Sequence, residues 1–279
     1  MAQPPRLERT IGSGGFRNLA LRLRSAALLA PLAVAGIYVG SPWFDMLIIF
    51  AGLIMSWEWA SICSEGDLDL VGWLMEAGII IVLGALYLGS PFLSLCVAVL
   101  VASVVAGLAL LRRHKSPLRL AMGAGMISVF CLSFLWLRRT PDIGLELVVW
   151  LVLAVWFTDV GGYFFGKLIG GPKLAPRISP NKTWAGLGGG ILLAALWSVA
   201  TLSWAGGYAI GPVIAAALCI ALLAQFGDLC VSTVKRRFGV KDASGLIPGH
   251  GGFLDRLDGM LLTGPASALV LVCSVRGWI

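Results

Sequence analysis

Between two strongly apolar segments the chain carries Ser232–Asp258, STVKRRFGVKDASGLIPGHGGFLDRLD, with five basic residues, three carboxylates and a histidine in 27 positions. Lys235, Arg236, Lys241 and Arg256 can neutralise phosphate charge, and Asp242 stands beside Lys241. His250 sits in the turn Pro248-Gly249-His250-Gly251-Gly252. Glycines such as Gly251 and Gly252 let backbone N–H groups meet an anion with no side chain in the way. Asp255 and Asp258, three residues apart, share a helical face. Carboxylate oxygens in this setting suit a hard divalent cation shared with substrate phosphates. The stretch therefore reads as machinery for a polyanionic substrate handled with metal ions. The competing reading pairs these acids internally with Lys235, Arg236 or Arg256.

Two further polar groups belong with it. Asp228 ends the preceding apolar run, and a helix continuing from it places Ser232 and Lys235 at i+4 and i+7. Carboxylate, hydroxyl and ammonium then follow one another along one face. Upstream, Thr158–Lys167 sets Asp159, Tyr163 and Gly166 on one helical side, and the basic, Pro-containing loop Ile178–Thr183 adds Ser179, Lys182 and Thr183. Such a segment at a helix start can hold a phosphate through N–H groups, a hydroxyl and the ammonium. Capping and anchoring is the plainer alternative. Asp228, Asp255 and Asp258 are the candidate metal ligands. Glu58 and Glu76, alone in Trp-rich segments, read as buried structural carboxyls, since an unpaired charge in hydrocarbon is costly.

The elements that must position these residues are transmembrane helices. The chain of 279 residues is 58% hydrophobic and only 13% charged, with mean hydropathy +0.91. Several runs approach the roughly 20 apolar residues that cross a bilayer. They are apolar all round rather than alternating, which excludes a barrel. The fold class is all-α, a polytopic integral membrane protein of about nine spans, near 25–40, 43–63, 70–89, 91–111, 118–137, 145–166, 186–206, 209–231 and 259–277. Trp43, Trp57, Trp59, Trp73, Trp136, Trp150, Trp184 and Trp204, many of them near span ends, are expected to anchor the interfaces. The six cysteines are scattered singly with no CxxC pair, so neither disulfides nor a zinc site is expected.

Eighteen of the 21 Lys and Arg residues fall on one side when the N-terminus is placed inside, leaving Arg138, Arg139 and Arg276 outside. This predicts an N-in, C-out protein with Ser232–Asp258 facing the cytoplasm. Residues 1–24 read as a basic cytoplasmic tail leading into an interfacial segment, 25–140 as N-terminal transmembrane helices, and 141–279 as a catalytic transmembrane region with cytoplasmic polar loops. A cleaved leader ending near Ala35 is the lesser reading of the N-terminus. Glu65, Asp67 and Asp69 form a small acidic inner loop.

The residues Ser232, Lys235, Arg236, Lys241, Asp242, Pro248, His250, Gly251, Gly252, Asp255, Arg256 and Asp258 stand in an order and spacing that resembles the phosphatidate cytidylyltransferase signature. Asp159, Tyr163, Gly166, Ser179, Pro180, Lys182, Thr183, Gly186, Gly227 and Asp228 resemble that family's other polar motifs. Two positions depart from it, Ala185 where glutamate is common and Gly259 where serine is common. The resemblance implies transfer of a cytidylyl group from CTP to phosphatidic acid, giving CDP-diacylglycerol and pyrophosphate, with Mg²⁺ as cofactor and room for a second cation. It implies CTP, phosphatidic acid and membrane lipids as partners, no nucleic acid, and leaves a homodimer open. The expected location is the bacterial inner membrane with the active site on the cytoplasmic side. A CTP-dependent lipid kinase, or a transferase for another lipid phosphate, would use the same cation and phosphate logic. An ion-coupled transporter built on Asp159 and Asp228 would need polar residues through the bilayer depth and broken helices in paired repeats, whereas the charges cluster on one side.

Overall fold

The computed structural model describes residues 13–64, 66, 68–88, 91–205 and 209–275. Its helices are α1 (Ser13–Val39), α2 (Trp43–Cys63), α3 (Leu70–Leu88), α4 (Pro91–Leu111), α5 (Pro117–Arg138), α6 (Gly144–Leu168), α7 (Trp184–Ala205), α8 (Ile210–Arg237), α9 (Leu254–Leu257) and α10 (Met260–Val275). Two short antiparallel strands, β1 (Lys173–Ala175) and β2 (Ser179–Thr183), interrupt the helices between α6 and α7. The basic segment expected there as a loop is therefore a hairpin.

Among the described residues seven helices, α2 to α8, are long and apolar enough to cross a membrane, so the expected count of nine is not confirmed. The first and last expected spans are present as helices, but their apolar stretches, Ala27–Val39 and Met260–Ser274, are shorter than the others. The helix containing the first one starts at Ser13, inside the expected tail. Of the acidic loop, Glu65 and Asp67 lie outside the described residues, and Asp69 accepts the Gly72 amide at 3.0 Å at the start of α3.

Prolines at helix starts fit their missing N–H, which has no intrahelical partner in the first turn anyway. Pro91 opens α4, and Pro117 opens α5 behind Ser116. The most buried span is α5, which packs against α2, α3, α4 and α10. Trp59 is buried in this core and donates Nε1–H to the Arg119 carbonyl at 2.9 Å, so it is not the interfacial anchor expected of it. Trp43, Trp73 and Trp184 are exposed, as interfacial anchors must be.

The most intimate helix pair is α6 with α7. Its backbones approach so closely that a Cβ on Gly190 would lie 2.7 Å from the Thr158 carbonyl oxygen. This contact fixes the depth of Asp159 relative to β2 and Lys182.

Successive helices reverse direction, so charged groups gather at two ends. One end holds Arg139, which pairs with Asp45 at 2.8 Å, and Arg138, which donates Nε–H to the Ile37 carbonyl at 2.7 Å. The other holds β1, β2, the end of α8 and the segment before α9. With 28 residues α8 is about 42 Å long. A bilayer hydrocarbon core is about 30 Å thick, so α8 is long enough for its Lys235–Arg237 end to stand clear of it.

Candidate active site

The segment after α8 folds into a compact loop held by carboxylates. The His250 amide donates to the Ile247 carbonyl at 2.9 Å, with Pro248 and Gly249 between them. Pro at the second position and Gly249 at φ +78° at the third are the requirements of a type II turn. Gly251 follows with φ +83° and pairs with Ile247. At Gly252 a Cβ would lie 2.6 Å from Glu58 Oε1, so no side chain fits.

Asp255 gathers both ends of this loop. Its Oδ1 accepts from Lys235 Nζ, and its Oδ2 accepts the amides of Ala243 at 2.8 Å and Gly252 at 2.9 Å. The internal pairing weighed as the alternative is therefore real for Asp255 and Lys235.

Glu58 performs the same service from α2. Its Oε1 accepts from Ser244 Oγ and the Phe253 amide, and its Oε2 accepts the Leu254 amide at 2.6 Å. The carboxylate lies at the N-terminus of α9, where unpaired amides favour negative charge. Its place in an apolar, Trp-rich segment marks Glu58 in the sequence as notable, but nothing there shows that it meets a loop 195 positions away.

Asp228 of α8, Asp159 of α6 and Asp258 of the turn between α9 and α10 are brought together. Gly227 packs on the backbone of Asp258, where a Cβ would meet the Asp258 carbonyl oxygen at 2.6 Å, and this sets Asp228 beside the start of α10. Asp228 Oδ1 accepts from Ser232 Oγ at 3.0 Å, and Lys182 Nζ lies 2.6 Å from Oδ2. Asp258 Oδ1 accepts the Gly259 amide at 2.8 Å. Burial, and then the charge of Asp228, push the Asp258 carboxyl well above its ordinary range, against the opposing pull of Lys235. Asp159 adds to the same negative field. A cation held among these carboxylates would favour their ionised forms.

Asp159, His250 and Arg256 line the polar end of a cavity of about 780 Å³. The rest of its wall is apolar and comes from α1, α2, α5, α6 and α10, including Leu29, Ala33, Phe50, Phe134 and Trp156. His250 Nδ1 is 2.7 Å from Ser25 Oγ of α1, and Arg256 donates to the His250 carbonyl at 2.7 Å.

The remaining candidates lie around this centre. Thr183 is buried, and its Oγ1 accepts the Gly186 amide at 3.0 Å as the N-cap of α7, which is the capping role weighed for it. Ser179 starts β2 opposite Ala175. Arg236 ties this hairpin to α8 by donating to the Ile178 carbonyl at 3.2 Å. Lys241 and Asp242 are exposed at the loop surface. Tyr163 is exposed, with the Lys167 ammonium 5.8 Å from its ring centre.

Residues 20–274 match the model of the cytidylyltransferase family. The chain is 37% identical over 259 residues to a Brucella suis biovar 1 protein named phosphatidate cytidylyltransferase, covering 88% of this chain and 90% of that one. A Brucella melitensis protein of the same name is 38% identical over 254 residues, with the same coverage. A Staphylococcus aureus protein of that name is 37% identical over 158 residues, 53% of this chain and 61% of that one. The chain belongs to the cytidylyltransferase family.

Within that family the two departures have a structural setting here. Gly259 is enclosed where α10 meets α6 and α8, and a Cβ there would lie 3.3 Å from Val155 Cγ1 and 3.5 Å from the Ala224 carbonyl oxygen. The Cβ of a serine would press on the Val155 methyl and make ordinary contact with Ala224. Ala185 is half-buried in the first turn of α7, beside the Thr183 cap. A cytidylyltransferase is a nucleotidyl-transferring enzyme, and the apolar helices make this one an integral membrane protein.

Proposed function

We propose that the protein is a phosphatidate cytidylyltransferase of the bacterial inner membrane, with its active site on the cytoplasmic face, converting CTP and phosphatidic acid into CDP-diacylglycerol and pyrophosphate. One observation carries the reading. An apolar cavity of about 780 Å³ ends on Asp159, His250 and Arg256, and Asp228, Asp258 and Lys182 adjoin that end electrostatically. Acyl chains fit the apolar part, and a phosphate reached through Arg256 meets the carboxylates. The names of the Brucella relatives point to the same reaction.

The chemistry asks little of a general base. A phosphate monoester has its second pKa near 6, so the lipid phosphate is largely dianionic at neutral pH. One of its oxygens attacks the α-phosphorus of CTP, the bond from that phosphorus to the bridging oxygen breaks, and pyrophosphate leaves with the electron pair. Catalysis then rests on alignment and on neutralising charge. Arg256 and His250 face the lipid phosphate. Arg236, in the last turn of α8, and Lys241, at the loop surface, meet the triphosphate, with Ser179 and Ser232 orienting it.

The donor set fits Mg²⁺. Among the described residues no three His, Cys, Asp or Glu side chains enclose a cation by themselves. Mg²⁺ commonly takes one or two carboxylates and completes its shell with water and substrate phosphates. Asp228 and Asp258 would hold it, with Asp255 beside them. Bound there, it would offset the negative charge of the phosphates and the departing pyrophosphate.

The purified protein in vesicles, given phosphatidic acid, CTP and Mg²⁺, is expected to form CDP-lipid and pyrophosphate in equal amounts. Absence of a nucleotide-dependent lipid product would refute the assignment.

A further inference from the structure

Asp228 has two partners of different kinds. Ser232 lies one turn along the same helix and is 8% exposed, so it stays with the carboxylate. Lys182 reaches Asp228 from β2, a separate element at the edge of the site. The Lys182 ammonium is buried and lies 2.6 Å from Asp228 Oδ2 without hydrogen-bond geometry, so its N–H donors are left unsatisfied there and the contact is open to exchange for a better partner. Lys182 is also within electrostatic reach of Asp159, while Asp258 adds its charge to the same space. One ammonium on a flexible stem thus acts on two of the three carboxylates, beside the Lys235 and Arg256 charges that act on Asp258 and Asp159.

Resting on the cation-dependent reading above, we infer that Lys182 is a placeholder for the divalent cation. Without the cation, its ammonium occupies Asp228 Oδ2. When the cation binds, it takes that oxygen and repels the ammonium, which turns to the substrate phosphates gathered at the same place. Lys182 thus links cation binding to phosphate binding and offsets the charge of Asp228 in the resting protein. This order of events also gives the β1–β2 hairpin a task, because it carries the group that must change partners.

The test is Mn²⁺ titration of the purified full chain without nucleotide or lipid, with free Mn²⁺ read by electron paramagnetic resonance. Lys182→Met is expected to bind Mn²⁺ about tenfold more tightly than the native protein, which is about 1.4 kcal/mol. Lys182→Arg, which keeps the competing charge, should stay near the native affinity, and Asp228→Asn should lose the site. In parallel, Mn²⁺ should raise the acetylation rate of Lys182 severalfold in the native protein, read by mass spectrometry. That second measurement needs no variant and decides the matter if Lys182→Met does not fold. Unchanged or weaker Mn²⁺ binding in Lys182→Met, or unchanged labelling, would overturn the placeholder role while Asp228-dependent binding still upheld the cation site. Mn²⁺ binding indifferent to Asp228→Asn would overturn both.

Discussion

Lys235 and Asp255 form an ion pair whose side chains are only 7% and 6% exposed, and through it the end of α8 is fastened to both ends of the loop before α9. Removing one partner of a buried pair leaves an uncompensated charge and costs about 3–5 kcal/mol. Lys235→Met should therefore lower thermal stability by that order and reduce turnover to background. The double variant Lys235→Met, Asp255→Asn should recover much of the stability and none of the activity. Thermal melting together with initial rates would check both, and a single variant that melts like the native protein would refute the fastening role.

Glu58 supports the same loop from the other side, accepting from Ser244, Phe253 and Leu254. Glu58→Gln turns one acceptor oxygen into a donor that faces another donor, at a cost of about 1–3 kcal/mol. The expected result is faster proteolysis between Phe238 and Phe253 and a lower kcat, although Glu58 touches no substrate. Native proteolysis rates in this variant would show that the loop does not depend on it.

Asp258 is pushed above its ordinary range by burial and by the charge of Asp228, so its ionised form is disfavoured in the folded protein. Unfolding relieves that penalty, so this group makes the metal-free protein less stable as pH rises from the ordinary carboxylate range through the raised one. Asp258→Asn removes the ionisation. It should raise the melting temperature of the metal-free protein at neutral pH, flatten that pH dependence and abolish turnover. A lower melting temperature would contradict the account of Asp258 as a repelled carboxylate.

Ala33 lines the apolar wall of the large cavity. Ala33→Phe should fill part of it and raise KM for phosphatidic acid about tenfold, the scale on which apolar pockets discriminate, while KM for CTP stays unchanged. Equal changes in both constants would mean that the cavity does not take the lipid.

The sequence shows where apolar helices alternate with polar segments, because a bilayer demands runs of a fixed length. It also marks Asp159, Lys182, Asp228 and Asp258 as one chemical group, since helical spacing and side placement both point inward. What it could not reveal depends on contacts between distant segments. Glu58 meets Leu254 across 196 positions, and Ser25 meets His250 across 225. Periodicity places each of these on a helix or in a loop without saying what it faces. The same limit explains Trp59, whose type suits an interface but whose side chain fills the core. It also explains Lys235, whose charge suits a triphosphate but whose nearest partner is Asp255.

The central claim is transfer of the α-phosphorus of CTP to a lipid phosphate. CTP labelled separately at the α and γ positions, supplied with phosphatidic acid and Mg²⁺ to the protein in vesicles, tests it directly. The account predicts α-label in the lipid product and γ-label in pyrophosphate. Label from the γ position in the lipid, with release of CDP, would contradict it and identify a kinase instead.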